Sequence, residues 1–157
     1  MIDIQKAKKV AQKSAEERQQ EKKNAETCFV NACYKCFEGF DLEKKIDRTI
    51  EALAAQGHFS FSISVHLTDC EAILVKIDGK ECARVDIDYL ARMYITLLGQ
   101  PIFGMNSQRY ADKQVMQQAD CYVRHEILYQ YRKEGYNLYE DKDNYLSDYR
   151  YLYRLSW

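Results

Sequence analysis

Two segments of the chain alternate strictly between apolar and polar side chains, and they constrain the fold more than any other feature. In residues 58–67 the apolar positions are Phe59, Phe61, Ile63, Val65 and Leu67. In residues 149–157 they are Tyr149, Tyr151, Tyr153, Leu155 and Trp157. A period of two is typical of a β-strand that buries one face. We therefore expect a half-buried sheet, with the last residues tied into it and Trp157 packed under the helix at 41–56.

A hairpin is predicted between these two segments. The dipeptide Asp78-Gly79 separates two further alternating runs, residues 73–77 and 83–87. Such a dipeptide favours a type I′ turn, because both central residues of that turn need positive φ. A last hairpin is predicted from residues 136–139, through the polar residues 141–144, into the terminal strand.

Three helices are predicted around these strands. Residues 42–53 carry one apolar stripe, with Asp41 as N-cap and Gly57 just beyond the C-terminus. Asp88 is expected to cap a helix through Leu98, with Leu97 among its inward residues, and a further helix is expected over about 110–134. The order α-α-β-β-β-α-α-β-β predicts an α+β fold: a mainly antiparallel sheet of about five strands packed by helices.

The N-terminal region is predicted to form one long helix. Neither Gly nor Pro interrupts residues 4–37, and residues 12–23 are polar all round, so this part should project into solvent. The second half of the helix carries an apolar patch: Ala25, Cys28, Phe29, Ala32, Cys33, Cys36 and Phe37. This patch should dock on the body or on another copy. We therefore expect a helical arm and oligomerisation helix at 1–38, an α+β domain at 39–157, and a homo-oligomer.

Composition limits the partners and the compartment. The net charge of -1 gives no global field that would attract nucleic acid, so direct DNA binding is not expected. A local basic patch is compatible with this net charge. No apolar run approaches the roughly 20 residues of a membrane span. Six Cys without a secretory signal indicate a reducing cytoplasm.

Metal, cofactor and catalytic motifs are weak in this sequence. Cys33 and Cys36 have zinc-like spacing but sit within a helical pattern, where free Cys packs as a small apolar residue. His58 and His66 are roughly 26 Å apart at about 3.3 Å per residue. His125-Glu126 begins like a zinc-protease helix, but Tyr129 stands where the second His is needed. We expect no metal, no cofactor and no enzymatic activity.

A nucleotide site is the most specific binding site that the residues suggest. Such a site needs a stacking ring together with cationic or amide donors. A Gly-flanked loop over residues 99–108, with its neighbouring helices, offers both. The candidate ligand-binding residues are Arg92, Tyr94, Phe103, Arg109, Tyr110 and Lys113.

Two pieces of the sequence together resemble a known pattern. The first runs from Ile46 through Ala52-Leu53-Ala54-Ala55-Gln56-Gly57 into the strand at 58–63, and the second from Leu128 through Gly135-Tyr136 to Tyr153-Arg154-Leu155-Ser156-Trp157. The pattern resembles small uncharacterised phage-encoded α+β proteins with a helix-Gly-strand unit and a final Tyr-x-Ile-Ser-Trp strand. The present chain has Leu138 and Leu155 where that pattern prefers Val and Ile, and it inserts residues 70–110.

The resemblance implies a phage or mobile-element origin, and such proteins are often virion accessory parts or inhibitors of host immunity. With the residues above, it predicts a non-enzymatic inhibitor of antiviral defence that sequesters a small signalling nucleotide. Two alternatives stay open: an inhibitor that binds a host defence protein directly, and a phage virion or assembly protein that oligomerises through the N-terminal helix.

Overall fold

The computed structural model describes residues 1–68, 71–99, 107–141 and 150–157, and it confirms the predicted order of elements. The helices are α1 (Ile4–Glu38), α2 (Leu42–Ala55), α3 (Ile87–Leu98), α4 (Ser107–Cys121) and α5 (Tyr129–Lys133). The strands are β1 (Ser60–Leu67), β2 (Ala72–Ile77), β3 (Lys80–Asp86), β4 (Asn137–Asp141) and β5 (Arg150–Ser156). The fold is α+β, as expected.

The strands form one antiparallel sheet in the order β3-β2-β1-β5-β4. β1 is central, pairing Ile63 with Ile77 on one side and with Tyr153 on the other. Asp78 and Gly79 have φ of 52° and 77° and join β2 to β3, which confirms the predicted hairpin. The backbone N–H of Trp157 donates to Phe59 O at 3.0 Å, so the last residue is tied into the sheet.

One face of the sheet is covered by helices and forms the core. The buried strand residues in that core are Phe61, Ile63, Val65, Ile73, Val75, Ile77, Ala83, Val85, Tyr153 and Leu155. All of them share the inward side of the pleat, because paired residues in the register face the same way. The helices contribute residues such as Ile46, Leu90 and Met116 to the same cluster.

The two halves of α1 differ in their surroundings. Phe29, Cys33 and Phe37, spaced four residues apart, are buried in the core, and the helix contacts α3 and α4. The first half is exposed to solvent, in keeping with its polar sequence. Cys28, predicted to lie in the docking patch, is exposed, because it sits about 100° around the helix from Phe29.

Two predicted core residues lie at the surface instead. Phe59 was expected to face the core, but it precedes the first residue of β1 and its side chain is 70% exposed. Phe59 lies at the end of the sheet opposite Trp157, and no further strand pair among the described residues lies beyond these two to cover its ring. Leu97, expected on the inward side of α3, is also exposed, because that helix buries Ile87, Leu90 and Ala91 instead.

The predicted helix caps are partly wrong. Asp41 stands at the N-cap of α2, but its φ of 53° is left-handed and its side chain makes no capping hydrogen bond. Asp86 caps α3 in place of Asp88, since its carboxylate accepts from the backbone N–H of Asp88 at 3.0 Å. Gly57, with φ of 82°, follows the C-cap of α2 as predicted.

The helix predicted over 110–134 is wound in three parts. α4 begins at Ser107, seven residues from Tyr122 to Leu128 have π-helical winding, and α5 completes the run. The π segment buries Val123, Ile127 and Leu128. A π turn has one residue more per hydrogen-bonded ring than an α-helix, and its local sequence signal is weak. None of the helices in the described part of the chain is long and apolar enough to cross a membrane.

Candidate functional site

A cavity of about 480 Å³ opens where α1, α3 and α4 meet. Its volume falls within the range of small-molecule sites, roughly 300–1,000 Å³. It is lined by Lys22, Glu26, Phe29, Tyr94, Leu98, Gly99, Tyr110, Gln114 and Gln118. We refer to it as the three-helix cavity.

Three aromatic rings, one from each helix, form one wall of the three-helix cavity. The ring of Tyr94 lies 5.0 Å from that of Phe29 in an edge-to-face arrangement and 5.9 Å from that of Tyr110 at a tilt of 55°. Phe29 is buried, whereas Tyr94 and Tyr110 are half-buried and reach the cavity surface. The core contact of Phe29 thus fixes the two tyrosines beside the open space, and such rings can stack on a planar ligand.

The hydroxyl of Tyr94 is held in its protonated form. Burial, then its hydrogen bond and electrostatic interaction with Tyr110 and the nearby carboxylate of Glu26, raise the pKa of Tyr94 to about 12. At neutral pH the Tyr94 hydroxyl can therefore donate and accept hydrogen bonds without carrying charge.

The polar lining of the cavity is close to neutral. Lys22 contributes one cation and Glu26 one carboxylate, both from exposed positions on α1. Gln114 and Gln118 add two side-chain amides, each able to donate and to accept. This donor set suits the edge of a heterocyclic base and at most one negative charge.

Gly99 sets the rim of the three-helix cavity where α3 ends. A Cβ at this position would come within 2.6 Å of Ile95 O, so the close approach of the chain to the last helical turn excludes any side chain. The backbone N–H of Gly99 donates to Tyr94 O at 3.0 Å, which closes that turn.

The structure brings two of the predicted site residues together and separates the others. Tyr94 and Tyr110 both line the cavity. Arg92 lies on the outside of α3, 75% exposed, where it pairs with Asp88 at 2.9 Å.

The remaining predicted site residues are outside the cavity lining or outside the described residues. Arg109 and Lys113 lie on α4 but do not line the cavity, and each makes an interaction elsewhere. Phe103 lies outside the described residues.

The prediction missed Lys22, Glu26, Phe29, Leu98, Gln114 and Gln118. A signal existed in the spacing. Lys22, Glu26 and Phe29 recur at i, i+4 and i+7 along one side of α1, and Gln114 and Gln118 follow Tyr110 at intervals of four. The sequence did not indicate which sides of the helices contact each other.

A second polar cluster is buried between α4, the π segment and the sheet. The hydroxyl of Tyr153 donates to Asp120, and the guanidinium of Arg124 lies 2.7 Å from the same carboxylate. Burial raises the pKa of Asp120, against the lowering effect of Arg124. This cluster links β5 to the helical layer, so its contacts are structural. Within the described ranges, no three potential ligands among His, Cys, Asp and Glu are grouped to hold a metal ion.

Comparisons with protein-family models, with curated proteins and with solved structures give no match for this chain. The fold and the geometry of the three-helix cavity are therefore the basis on which a function is assigned.

Proposed function

We propose that the protein is a non-enzymatic accessory protein of a phage or mobile element that sequesters a small signalling nucleotide in the host cytoplasm, and so inhibits antiviral defence. The observation that carries the proposal is the aromatic wall of Phe29, Tyr94 and Tyr110 beside the amides of Gln114 and Gln118. Planar rings bound by aromatic faces and edge-directed hydrogen bonds are the general chemistry of nucleobase recognition.

The charge of the cavity limits the classes of nucleotide that can bind in it. One ammonium and one carboxylate cannot neutralise a triphosphate, which needs several cationic or amide donors. A cyclic mononucleotide carries a single negative charge, and Lys22 is placed to meet it. The ligand class that fits best is thus a cyclic mononucleotide, ahead of nucleoside triphosphates.

The absence of turnover is part of the proposal. A sequestering protein needs affinity and no reacting group, and the cavity lining offers Tyr94 in its neutral form together with amides. Neither of these is an activated nucleophile.

A second function is favoured by one observation, the exposed first half of α1. At about 1.5 Å per residue this helix is about 50 Å long. Its exposed first half, about half of that length, can hold a host defence protein or join copies in a phage assembly. On that hypothesis the three-helix cavity has no ligand.

Isothermal titration calorimetry with 3′,5′-cyclic AMP, 3′,5′-cyclic GMP, ADP-ribose and ATP tests the proposal. We expect at least one cyclic mononucleotide to bind, and ATP to bind at least about tenfold more weakly, a difference of about 1.4 kcal/mol. Lys22→Ala should weaken cyclic mononucleotide binding by a similar factor. Tyr110→Leu, which removes a ring from the wall, should abolish it.

Lys23→Ala is the matched control, because Lys23 is an exposed neighbour on the same helix that does not line the cavity. It should leave the affinity unchanged. If none of the four ligands binds, or if Lys22→Ala and Lys23→Ala weaken binding equally, the nucleotide proposal is wrong.

A further inference from the structure

The sheet has a second face, which the helices of the described chain do not cover. The register places five cross-strand rows on it, since residues of the core cluster occupy the alternate positions. The two outer rows are Asp86 with Ala72 at one end and Asn137, Ser156 and Ser60 at the other. Three inner rows lie between them. The first row is Arg84, Leu74, His66 and Arg150. The second is Glu81, Lys76, Ser64, Leu152 and Asp141. The third is Ser62, Arg154 and Tyr139. We call this surface the open face.

The open face is basic although the whole chain is nearly neutral. Its five rows hold four Lys or Arg residues and three acidic residues, Glu81, Asp86 and Asp141, and Arg84 is paired with Glu81 at 2.9 Å. Lys76, Arg150 and Arg154 make no ion pair with another described residue in the structure. A net charge of -1 therefore conceals a local excess of positive charge on one side of the molecule.

These three cations surround the middle of β1. Lys76 pairs with Ser64, Arg154 with Ser62 and Arg150 with His66. After burial, the positive charges of Lys76 and Arg150 lower the pKa of His66. The field at the centre of the open face is thus positive, and the two serines supply hydroxyl donors within it.

An aromatic ring lies beside this basic group. Tyr139 on edge strand β4 is the direct cross-strand partner of Arg154, and its side chain is 64% exposed. Arg150 and Arg154, four residues apart on β5, are separated by about 13 Å at about 3.3 Å per residue. Adjacent strands are about 4.8 Å apart, so the three cations and the ring of Tyr139 together span a surface as long as several nucleotides.

We propose that the open face binds single-stranded nucleic acid, with Lys76, Arg150 and Arg154 on successive phosphates and Tyr139 stacked on a base. Proteins that bind single strands without sequence preference combine a basic track for the backbone with aromatic rings for the bases. The ring of Tyr139 is exposed, so an unpaired base can reach it and a base inside a duplex cannot.

The composition of the face argues against a protein partner as its occupant. Interface cores are depleted of charged residues and enriched in aromatic and large apolar ones. Here the aliphatic residues are Ala72 and Leu74, which are buried, and Leu152, which is separated from them by charged and hydroxyl side chains. A polyanion meets this pattern better than a second apolar surface does.

Fluorescence anisotropy with labelled 12-residue poly(dT) and poly(U) tests this inference on the intact protein. We expect a Kd of about 10 μM at low salt, and a slope of log K against log salt of about -2, since each contacted phosphate contributes about -0.7 on a single strand. The double variant Arg150→Ala with Arg154→Ala should weaken binding at least about tenfold. It should also reduce the magnitude of the salt slope from about 2 to less than about 1.

Two matched controls make the result specific to the face. Arg48→Ala with Arg132→Ala removes the same charge from exposed helical positions and should change the Kd less than about twofold. Tyr139→Leu should weaken binding several-fold, whereas Tyr89→Leu, at a tyrosine 63% exposed on α3, should not.

Two outcomes would overturn the inference. One is no binding of either oligomer, including the case in which the unmodified protein binds only vesicles containing phosphatidylserine. The other is an equal loss of affinity in both double-arginine variants. The test is independent of the nucleotide proposal. Arg150 and Arg154 do not line the three-helix cavity, so their loss should leave cyclic mononucleotide titrations unchanged.

Discussion

Tyr153 shows how a single hydroxyl connects the sheet to the helical layer. Its ring is buried in the core, where it belongs to the alternating face predicted for the terminal strand. Its hydroxyl reaches Asp120 on α4, which also holds Arg124. Removing the hydroxyl would leave a buried carboxylate with one donor fewer, and a hydrogen bond to a charged group contributes about 1.5–3 kcal/mol.

Tyr153→Phe should therefore lower the free energy of unfolding by about 2 kcal/mol, measured by urea denaturation at neutral pH. The ring stays in place, so no large cavity is created. Tyr89→Phe is the control, since it removes a hydroxyl from an exposed side chain and should change stability by less than about 0.5 kcal/mol. Equal effects of the two substitutions would show that the bond to Asp120 contributes nothing to folding.

At the scale of elements, the terminal strand β5 holds the sheet together, because it pairs with β1 on one side and with β4 on the other. Trp157 was predicted to pack under α2. Its ring lies 6.1 Å from that of Phe61 and 6.5 Å from that of Tyr136, and Trp157 is half-buried. Its backbone bond to Phe59 continues the ladder by one residue beyond the strand.

Trp157→Ala should cost about 2–3 kcal/mol of unfolding free energy, less than the roughly 3–5 kcal/mol typical of a fully buried large aromatic. Arg154→Ala, on the open face of the same strand, should cost at most about 1 kcal/mol. Thermal or urea unfolding of both variants measures this difference. If the two losses are equally small, the end of the chain is frayed and its pairing with Phe59 adds no stability.

The elements could be predicted from sequence to a greater extent than their contacts. Period-two alternation, the Asp78-Gly79 turn and the glycines at helix ends are local signals, and each is confirmed. The π segment from Tyr122 to Leu128 was missed, because its winding follows from packing against the core and has little local signature.

The candidate site could be predicted only in part, for a related reason. Tyr94 and Tyr110 were among the six candidates predicted near a Gly-flanked loop, and the structure places their rings 5.9 Å apart. Lys22 and Gln118 were missed, because they reach the cavity only through the way that α1 lies against α4. Contact between two helices that are far apart in the sequence, such as α1 and α4, is set by core packing, which single-residue patterns do not encode.

At the scale of the whole molecule, the exposed half of α1 remains the least explained part of the surface. It carries Ile4 and Val10 as exposed apolar side chains in an otherwise polar helix. Helical stability in water normally comes from packing of one side, and this half has no packing partner among the described residues.

We therefore expect the protein to form a homodimer or a larger oligomer through this region. Light scattering coupled to size-exclusion chromatography at high protein concentration should give a mass of at least twice 18.5 kDa. Ile4→Glu with Val10→Glu should shift that mass towards the monomer, because the two substitutions place charge in the contact. A monomeric mass for the unmodified protein at all concentrations would show that α1 projects alone.

The response of the whole fold to alkaline pH follows from groups buried in protonated form. Burial, with a smaller contribution from Cys36, raises the pKa of Cys33 from 9.0 to about 12. The pKa values of Tyr34, Tyr94 and Tyr122 are also raised, in each case first by burial. The unfolded chain loses these protons at lower pH than the folded one, so deprotonation favours unfolding. Stability from these groups is fully present below about pH 9 and is lost as pH rises towards 12.

We expect the free energy of unfolding to stay level from pH 7 to about 9 and then to fall steeply up to about pH 12, with Cys33 alone accounting for up to about 4 kcal/mol. Urea denaturation at a series of pH values measures this profile. Cys33→Ala should start from a lower stability, because it trims a buried side chain, but its slope above pH 9 should be shallower than that of the unmodified protein. Cys28→Ala, at an exposed thiol one residue before Phe29, should leave both the starting value and the slope unchanged. A profile that is flat to pH 12, or identical slopes in all three proteins, would mean that Cys33 is accessible to solvent and that the second half of α1 is not seated in the core.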